Sequence, residues 1–212
     1  LAELLGGSAT AAHVPLTGGP AGQPAGQPAG PPVRATVSGD QVVLDGRVPC
    51  VERGAQTSYL LVAADDDGGA RSHYLVPLTA PGVQAVPLGG VDLTRRYDTV
   101  VLRQVTLPAA SRVGEPGAAD AHEAELLDIT AVLQSAEIVG AMQRAFDMTL
   151  QWTRDRYSFG RPLGSYQEIK HRMADLRTQL EASGAIAAKA AQTLGEGAAD
   201  ARSWASAAKA YV

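Results

Sequence analysis

The chain has 212 residues, 45% hydrophobic and 19% charged, with a net charge of −4. That length suits one large domain or two small ones, and the acidic balance argues against general nucleic-acid binding. Cys50 is the single cysteine, which excludes an internal disulfide and a cysteine-rich metal site. No apolar run approaches the roughly 20 residues of a membrane span. No basic segment followed by an apolar core opens the chain, so the cytosol is the default location.

In chain order, Leu1–Ala12 reads as the end of a preceding helix. Gly18–Pro32 is a low-complexity run of Ala-Gly-Gln-Pro units, expected to be an extended loop. From Val33 to about residue 118 the pattern is β. Val33–Val37 alternates, Gln41–Leu44 follows the turn Ser38-Gly39-Asp40, and Asp45-Gly46 is a hairpin signal before Arg47–Val51. Tyr59–Ala63, Ser72–Pro77, Val83–Pro87 and Thr99–Val105 complete a set of short strands, with a polar turn at Asp65–Gly69. The expected fold class is α+β: an antiparallel β-barrel or sandwich followed by an antiparallel helical bundle.

The period then changes. His122–Tyr157 contains no Pro and a single Gly, Gly140, and predicts a helix of roughly 50 Å. Leu126, Ile129, Leu133, Ala136 and Leu150 form an imperfect apolar stripe on it. Gly160 and Pro162 stop this helix. Ser165-Tyr166-Gln167-Glu168 fits a capping box for the next one, with apolar positions Ile169, Met173, Leu176, Leu180 and Ile186 and an end near Leu194. A third helix begins near Ala198–Asp200 and runs to the end of the chain. The expected domains are an N-terminal segment and loop (1–32), a β domain (33–118) and a helical domain (119–212). The chain starts without Met and stops inside a helical pattern, which suggests a fragment.

The segment Arg156–His171 carries the most chemistry. It places an Arg, a hydroxyl, an aromatic ring and a Gln in a Gly/Pro turn between two helices. Arg offers a planar fork of donors for phosphate oxygens, and the following helix offers its N-terminal dipole and free N–H groups. The bare residues suit an anionic cofactor and leave a solvated helix end as the alternative. Elsewhere the plain readings prevail. The four histidines, His13, His73, His122 and His171, are far apart and form no ligand pair, so no metal site is expected. Cys50 reads as a small buried residue, Asp65-Asp66-Asp67 as a solvated turn, and Arg95-Arg96 as solvated surface.

The order of Arg156, Ser158, Phe159, Gly160, Pro162, Leu163, Tyr166, Gln167, Ile169, Lys170 and His171 resembles the acyl-CoA dehydrogenase family. The β half resembles the family's middle domain through Asp45-Gly46, Tyr59–Ala64, Ala80-Pro81-Gly82 and Thr99–Pro108. The resemblance implies FAD as cofactor and α,β-dehydrogenation of an acyl-CoA thioester by a glutamate base. It further implies that Arg156 and Ser158 contact the FAD pyrophosphate of a neighbouring subunit. Phe159 would then pack by the adenine or ribose and Gln167 would hydrogen-bond nearby, with Thr17 a survivor of the first flavin loop and Asp128 a polar contact to CoA.

Several positions depart from the family. Pro49-Cys50-Val51 stands where the family has an aromatic ring and a hydroxyl beside the flavin. Thr130 and Ala131 stand where some members carry the catalytic glutamate or an Arg, so the catalytic residue is unassigned. The kept turn beside an altered pocket resembles actinobacterial steroid-degrading members that pair two unlike chains in an α2β2 assembly. The implied partners are an acyl-CoA substrate and a homo- or hetero-oligomeric, tetrameric assembly. The remaining readings are an ordinary homotetrameric member and a non-catalytic assembly subunit.

Overall fold

The computed structural model describes residues 4, 7–14 and 33–212. Thr17 and the low-complexity run lie outside these residues. The chain divides into two units, residues 1–123 and 124–212.

The first unit is built on one eight-stranded sheet. Its strands are β1 (Ala11–Val14), β2 (Arg34–Ser38), β3 (Gln41–Glu52), β4 (Tyr59–Asp66), β5 (Arg71–Pro77), β6 (Val83–Leu88), β7 (Tyr97–Pro108) and β8 (Arg112–Val113). The path β6-β7-β3-β2-β4-β5-β8 is antiparallel except where β2 meets β4, and β1 adds to β4 in parallel. Residues 11 and 12 are thus strand, so the helix end expected over Leu1–Ala12 does not extend to them.

Alternation along the strands sends one set of side chains inward. Val42, Leu44, Val51, Leu60, Val62, Val76, Val100 and Val105 are fully buried and form the core with Tyr74, Leu102 and Leu107. Burial also pushes the Tyr74 hydroxyl pKa up, because the anion would lose its hydration.

The expected hairpin at Asp45-Gly46 is absent. β3 runs straight through and pairs with β7, with register shifts at Leu44/Gly46 and Val48/Val51. The Asp-Gly pair forms a bulge. Gly46 has φ 153, and a Cβ there would lie 2.7 Å from the Val33 Cα. The special backbone demand that Asp-Gly signalled is real, but the close approach of Val33, just before β2, creates it. Asp45 Oδ2 accepts hydrogen bonds from the Gln104 backbone N–H at 3.1 Å and from its Nε2 at 2.9 Å. These bonds hold the Asp45 carboxyl below its ordinary range and tie down Gln104, itself at φ 51.

The second unit holds α1 (Ala119–Asp155), whose first residues belong to the β unit, α2 (Gln167–Gly195) and α3 (Ala201–Tyr211). On α2 the buried positions Leu180, Ser183, Ala187, Ala190 and Thr193 recur at helical spacing. Ala190, Ala205 and Ala208 are fully buried together, and their small side chains let α2 and α3 approach closely. The stripe expected on α1 is displaced: Val132 and Ser135 are buried, while Leu133 is 64% exposed. The capping box does not form either. The N-cap of α2 is Tyr166, without a side-chain cap, and the Ser165 hydroxyl donates to the Pro162 carbonyl at 2.7 Å. The 3-10 turn Leu163–Ser165 draws that hydroxyl away from the helix amides. Among the described residues no helix is long and apolar enough to cross a membrane.

Gly46→Ala is expected to cost about 2–3 kcal/mol, read as a lower urea midpoint at unchanged slope. Asp45 has a second, pH-dependent consequence. Its folded pKa lies below its usual value, so its stabilisation is present above that value and is lost as pH falls through the depressed one. Asp45→Asn removes this contribution, and acid titrations followed by circular dichroism are expected to show a shallower fall in stability below about pH 4.

Candidate functional site

The reversal between α1 and α2 is a miniature hairpin. β9 (Tyr157–Ser158) pairs with β10 (Arg161–Pro162), in register Ser158 with Arg161. Phe159 and Gly160 form its two-residue loop at φ 51 and φ 78. Two positive φ values in succession mark a type I′ turn, whose twist suits a tight hairpin. Glycine takes this backbone freely, but a bulky aromatic ring does so at a cost of about 1–3 kcal/mol.

Several contacts close the hairpin onto the helices. The Leu163 N–H donates to the Arg156 carbonyl at 2.8 Å. The Tyr166 hydroxyl donates to the Ser158 carbonyl at 2.8 Å. The Arg161 guanidinium lies 3.8 Å over the Tyr166 ring, a cation–π contact. Gly164 packs on the last turn of α1, where a Cβ would come within 3.2 Å of the Thr153 carbonyl. Buried Thr153 also bonds the Leu150 carbonyl at 2.7 Å. The strained tip therefore rests on a well-determined base.

Phe159 is 96% exposed at this tip, and Tyr157 is exposed beside it. Arg156 is exposed, and among the described residues it has no carboxylate within ion-pair distance. Ser158 is half-buried, and Gln167 is exposed at the first position of α2. Arg156, Ser158, Phe159 and Gln167 thus fall on one short reversal, as the sequence motif places them. A cleft of about 520 Å³ adjoins it, lined by Arg154, Pro162, Ser165 and Lys170 among others. Arg154 and Lys170 add two cations that the motif did not single out. Glu168, in the first turn of α2, works against the positive end of that helix. The set offers an exposed guanidinium, an exposed aromatic face and neighbouring cations. That donor set fits a nucleotide bearing phosphates and a base.

The other candidates lie apart. Asp128 accepts a hydrogen bond from Arg202 Nε at 3.0 Å, so its charge is already matched within the helical unit. Val51 is fully buried in the β core, and Cys50 sits half-buried at φ 57 beside the β3 irregularity. Thr130 is exposed on α1, and Ala131 packs against the Ala-rich helical core. Neither of these two can take a proton.

A strand-rich unit followed by long helices joined through this reversal defines the acyl-CoA dehydrogenase fold. Residues 117–212 match the sequence profile of the acyl-CoA dehydrogenase C-terminal domain. Acyl-CoA dehydrogenase IpdE2 of Mycolicibacterium smegmatis is 36% identical over 104 residues, 48% of this chain and 29% of that protein. Cyclohex-1-ene-1-carbonyl-CoA dehydrogenase of Geobacter metallireducens is 27% identical over 170 residues, 77% of this chain and 45% of that protein. Butyryl-CoA dehydrogenase of Megasphaera elsdenii superposes with a TM-score of 0.85 at 26% identity, covering 99% of this chain and 55% of that one. The ChsE4–ChsE5 complex of Mycobacterium tuberculosis shares the fold, with a TM-score of 0.79 at 24% identity over 99% of this chain and 53% of that one. Residues 117–212 thus resemble the acyl-CoA dehydrogenase C-terminal domain, and the chain shares the acyl-CoA dehydrogenase fold. It spans less than half the length of these two curated relatives.

Phe159→Asn tests whether the tip is held for function. Asn tolerates the left-handed backbone that Phe occupies at a cost. The variant is expected to gain about 0.5–1 kcal/mol of stability, measured by thermal or urea unfolding.

Proposed function

We propose that this chain is a subunit of a flavin-dependent acyl-CoA dehydrogenase, taking part in α,β-dehydrogenation of an acyl-CoA thioester. Its Phe159-tipped reversal contributes to an FAD site shared with a neighbouring subunit. The observation that carries this reading is the exposed, strained aromatic tip beside the exposed Arg156, in a segment that matches the acyl-CoA dehydrogenase C-terminal domain. Bound flavin supplies the acceptor for the hydride leaving the substrate β-carbon. The roles of this chain's own residues are positional. Arg156 places charge-assisted donors on phosphate oxygens, the Ser158 hydroxyl adds a neutral donor, and Phe159 offers an apolar face to the adenosine portion. Gln167 supplies an amide at the start of α2, and Thr17 a hydroxyl to the flavin loop. Asp128 acts toward CoA only if Arg202 releases it, which makes it the weakest of these assignments.

A hetero-oligomer accounts best for the kept reversal beside an altered pocket. Val51 is committed to the β core, and neither Thr130 nor Ala131 can act as base. Leu127, Leu133, Met148 and Trp152 are large apolar residues exposed on α1, as a helix that meets another chain would present them. The shared fold of a complex between two differently named chains, ChsE4 and ChsE5, supports the same assembly. For the substrate we favour a bulky CoA thioester such as a steroid side-chain intermediate. A relative whose name specifies a ring-bearing acyl group supports a bulky acyl portion.

The same altered positions favour a second reading, a non-catalytic subunit kept for assembly. Co-expression with its partner chain, followed by measurement of bound FAD and of dye reduction with acyl-CoA, separates the two. Arg156→Ala is expected to weaken FAD binding by the complex roughly 10- to 150-fold, the equivalent of about 1.5–3 kcal/mol for a lost charge-assisted bond. Unchanged FAD affinity would leave only the assembly role. Full FAD occupancy and activity in the lone protein would exclude the hetero-oligomer.

A further inference from the structure

We propose that His13, His73 and Glu123 form a binding site for a divalent transition-metal ion of the Zn²⁺ class within the β unit. This inference is independent of the flavin reading. The three residues are separated by 60 and 50 positions in the chain, and the fold brings one ligand atom of each within 4.8 Å of the others. The Nε2 atoms of His13 and His73 lie 2.7 Å and 2.8 Å from the same oxygen, Glu123 Oε1.

The sheet explains the convergence. His13 on β1 is opposite Leu61, and His73 on β5 is opposite Ala63. Leu61 and Ala63 are two apart on β4, so both imidazoles leave the same face of the sheet. Leu60, Val62 and Tyr74 point to the other face, into the core. Glu123 comes down on the two rings from the start of α1. That start is held in place by the Gly117 N–H, which donates to Ser72 Oγ at 3.0 Å. The His122 ring stacks on His73 with 5.9 Å between centroids and planes 10° apart. Behind it the chain passes so close that a Cβ at Gly114 would lie 2.8 Å from His122 Cε1. His73 is therefore fixed in orientation, as a ligand supported by its surroundings requires.

The donor set is the kind Zn²⁺ prefers: two imidazole nitrogens and one carboxylate oxygen, as in sites with three protein ligands. His73 and Glu123 are 2% and 5% exposed, so the ligands are largely withdrawn from water. Metal–ligand bonds of about 2.0–2.2 Å imply tetrahedral edges of roughly 3.3 Å. The observed nitrogen–oxygen separations need to open by only about half an ångström. On binding, each imidazole carries its proton on Nδ1 and presents a bare Nε2, and Glu123 binds as the carboxylate.

The test uses the full-length, tag-free protein with whatever partner and cofactor it carries. After chelation and dialysis, Zn²⁺ is titrated calorimetrically, Co²⁺ is followed by its visible absorption, and Mg²⁺ serves as control. The expected result is one Zn²⁺ per chain, a tetrahedral Co²⁺ spectrum and no Mg²⁺ binding at the same concentration. His13→Ala and Glu123→Gln are each expected to weaken Zn²⁺ binding at least 100-fold and to abolish the Co²⁺ spectrum. His13 is partly exposed on a short strand, so its variant remains informative should the Glu123 variant fail to fold. Equal Zn²⁺ affinity in His13→Ala and the unaltered protein would overturn the proposal, as would no binding by the unaltered protein.

Discussion

The reversal at residues 156–166 depends on one short backbone contact, the hydrogen bond from Leu163 N–H to the Arg156 carbonyl. Gly164 lets the following turn settle against Thr153 at the end of α1, where a Cβ would come within 3.2 Å of the Thr153 carbonyl. With that contact made, Phe159 and Gly160 must close a two-residue loop and both take positive φ. A large aromatic ring is thereby driven outward from the helical unit, with Arg156 and Ser158 beside it. The exposure of the tip follows from the geometry of its base.

Strain at the tip stands out because its base is tied down by hydrogen bonds and ring contacts. Tyr166 meets Ser158 through its hydroxyl and Arg161 through its ring face, which ties the base of the hairpin to the start of α2. An unstrained solution was available, since Asn or Gly at position 159 accepts this backbone more readily. An aromatic residue kept there against its own backbone preference points to a surface lying outside the chain. The likeness of residues 117–212 to the acyl-CoA dehydrogenase C-terminal domain is why we propose a flavin dinucleotide as that surface.

The β unit shows a different economy of means. Its core is apolar and regular, and its exceptions are local. The Asp45-Gly46 bulge, the Gln104 backbone and the Cys50 irregularity all lie where β3 pairs with β7. On the opposite face of the sheet, a carboxylate and two imidazoles share one small volume. These polar groups bond to one another, as groups withdrawn from water must.

The sequence by itself determined the order of the strands β2 to β7 and of the three helices, because periods of two and 3.6 are local properties of the chain, while β1 and β8 escaped it. It also determined the reversal, since Arg156, Ser158, Phe159, Gly160, Pro162 and Gln167 are close neighbours in the chain. Tertiary structure decided whatever depended on distant segments. Asp45-Gly46 became a bulge because β2 and β7 hold β3 on both sides. Ser165 lost its capping role to the turn before it, and the buried register of α1 moved to Val132 and Ser135. Asp128 found Arg202, 74 positions away. His13, His73 and Glu123 came together only through strand pairing and the docking of the first turns of α1. Spacing along the chain says nothing of such a meeting, because it is fixed by which strands share an edge.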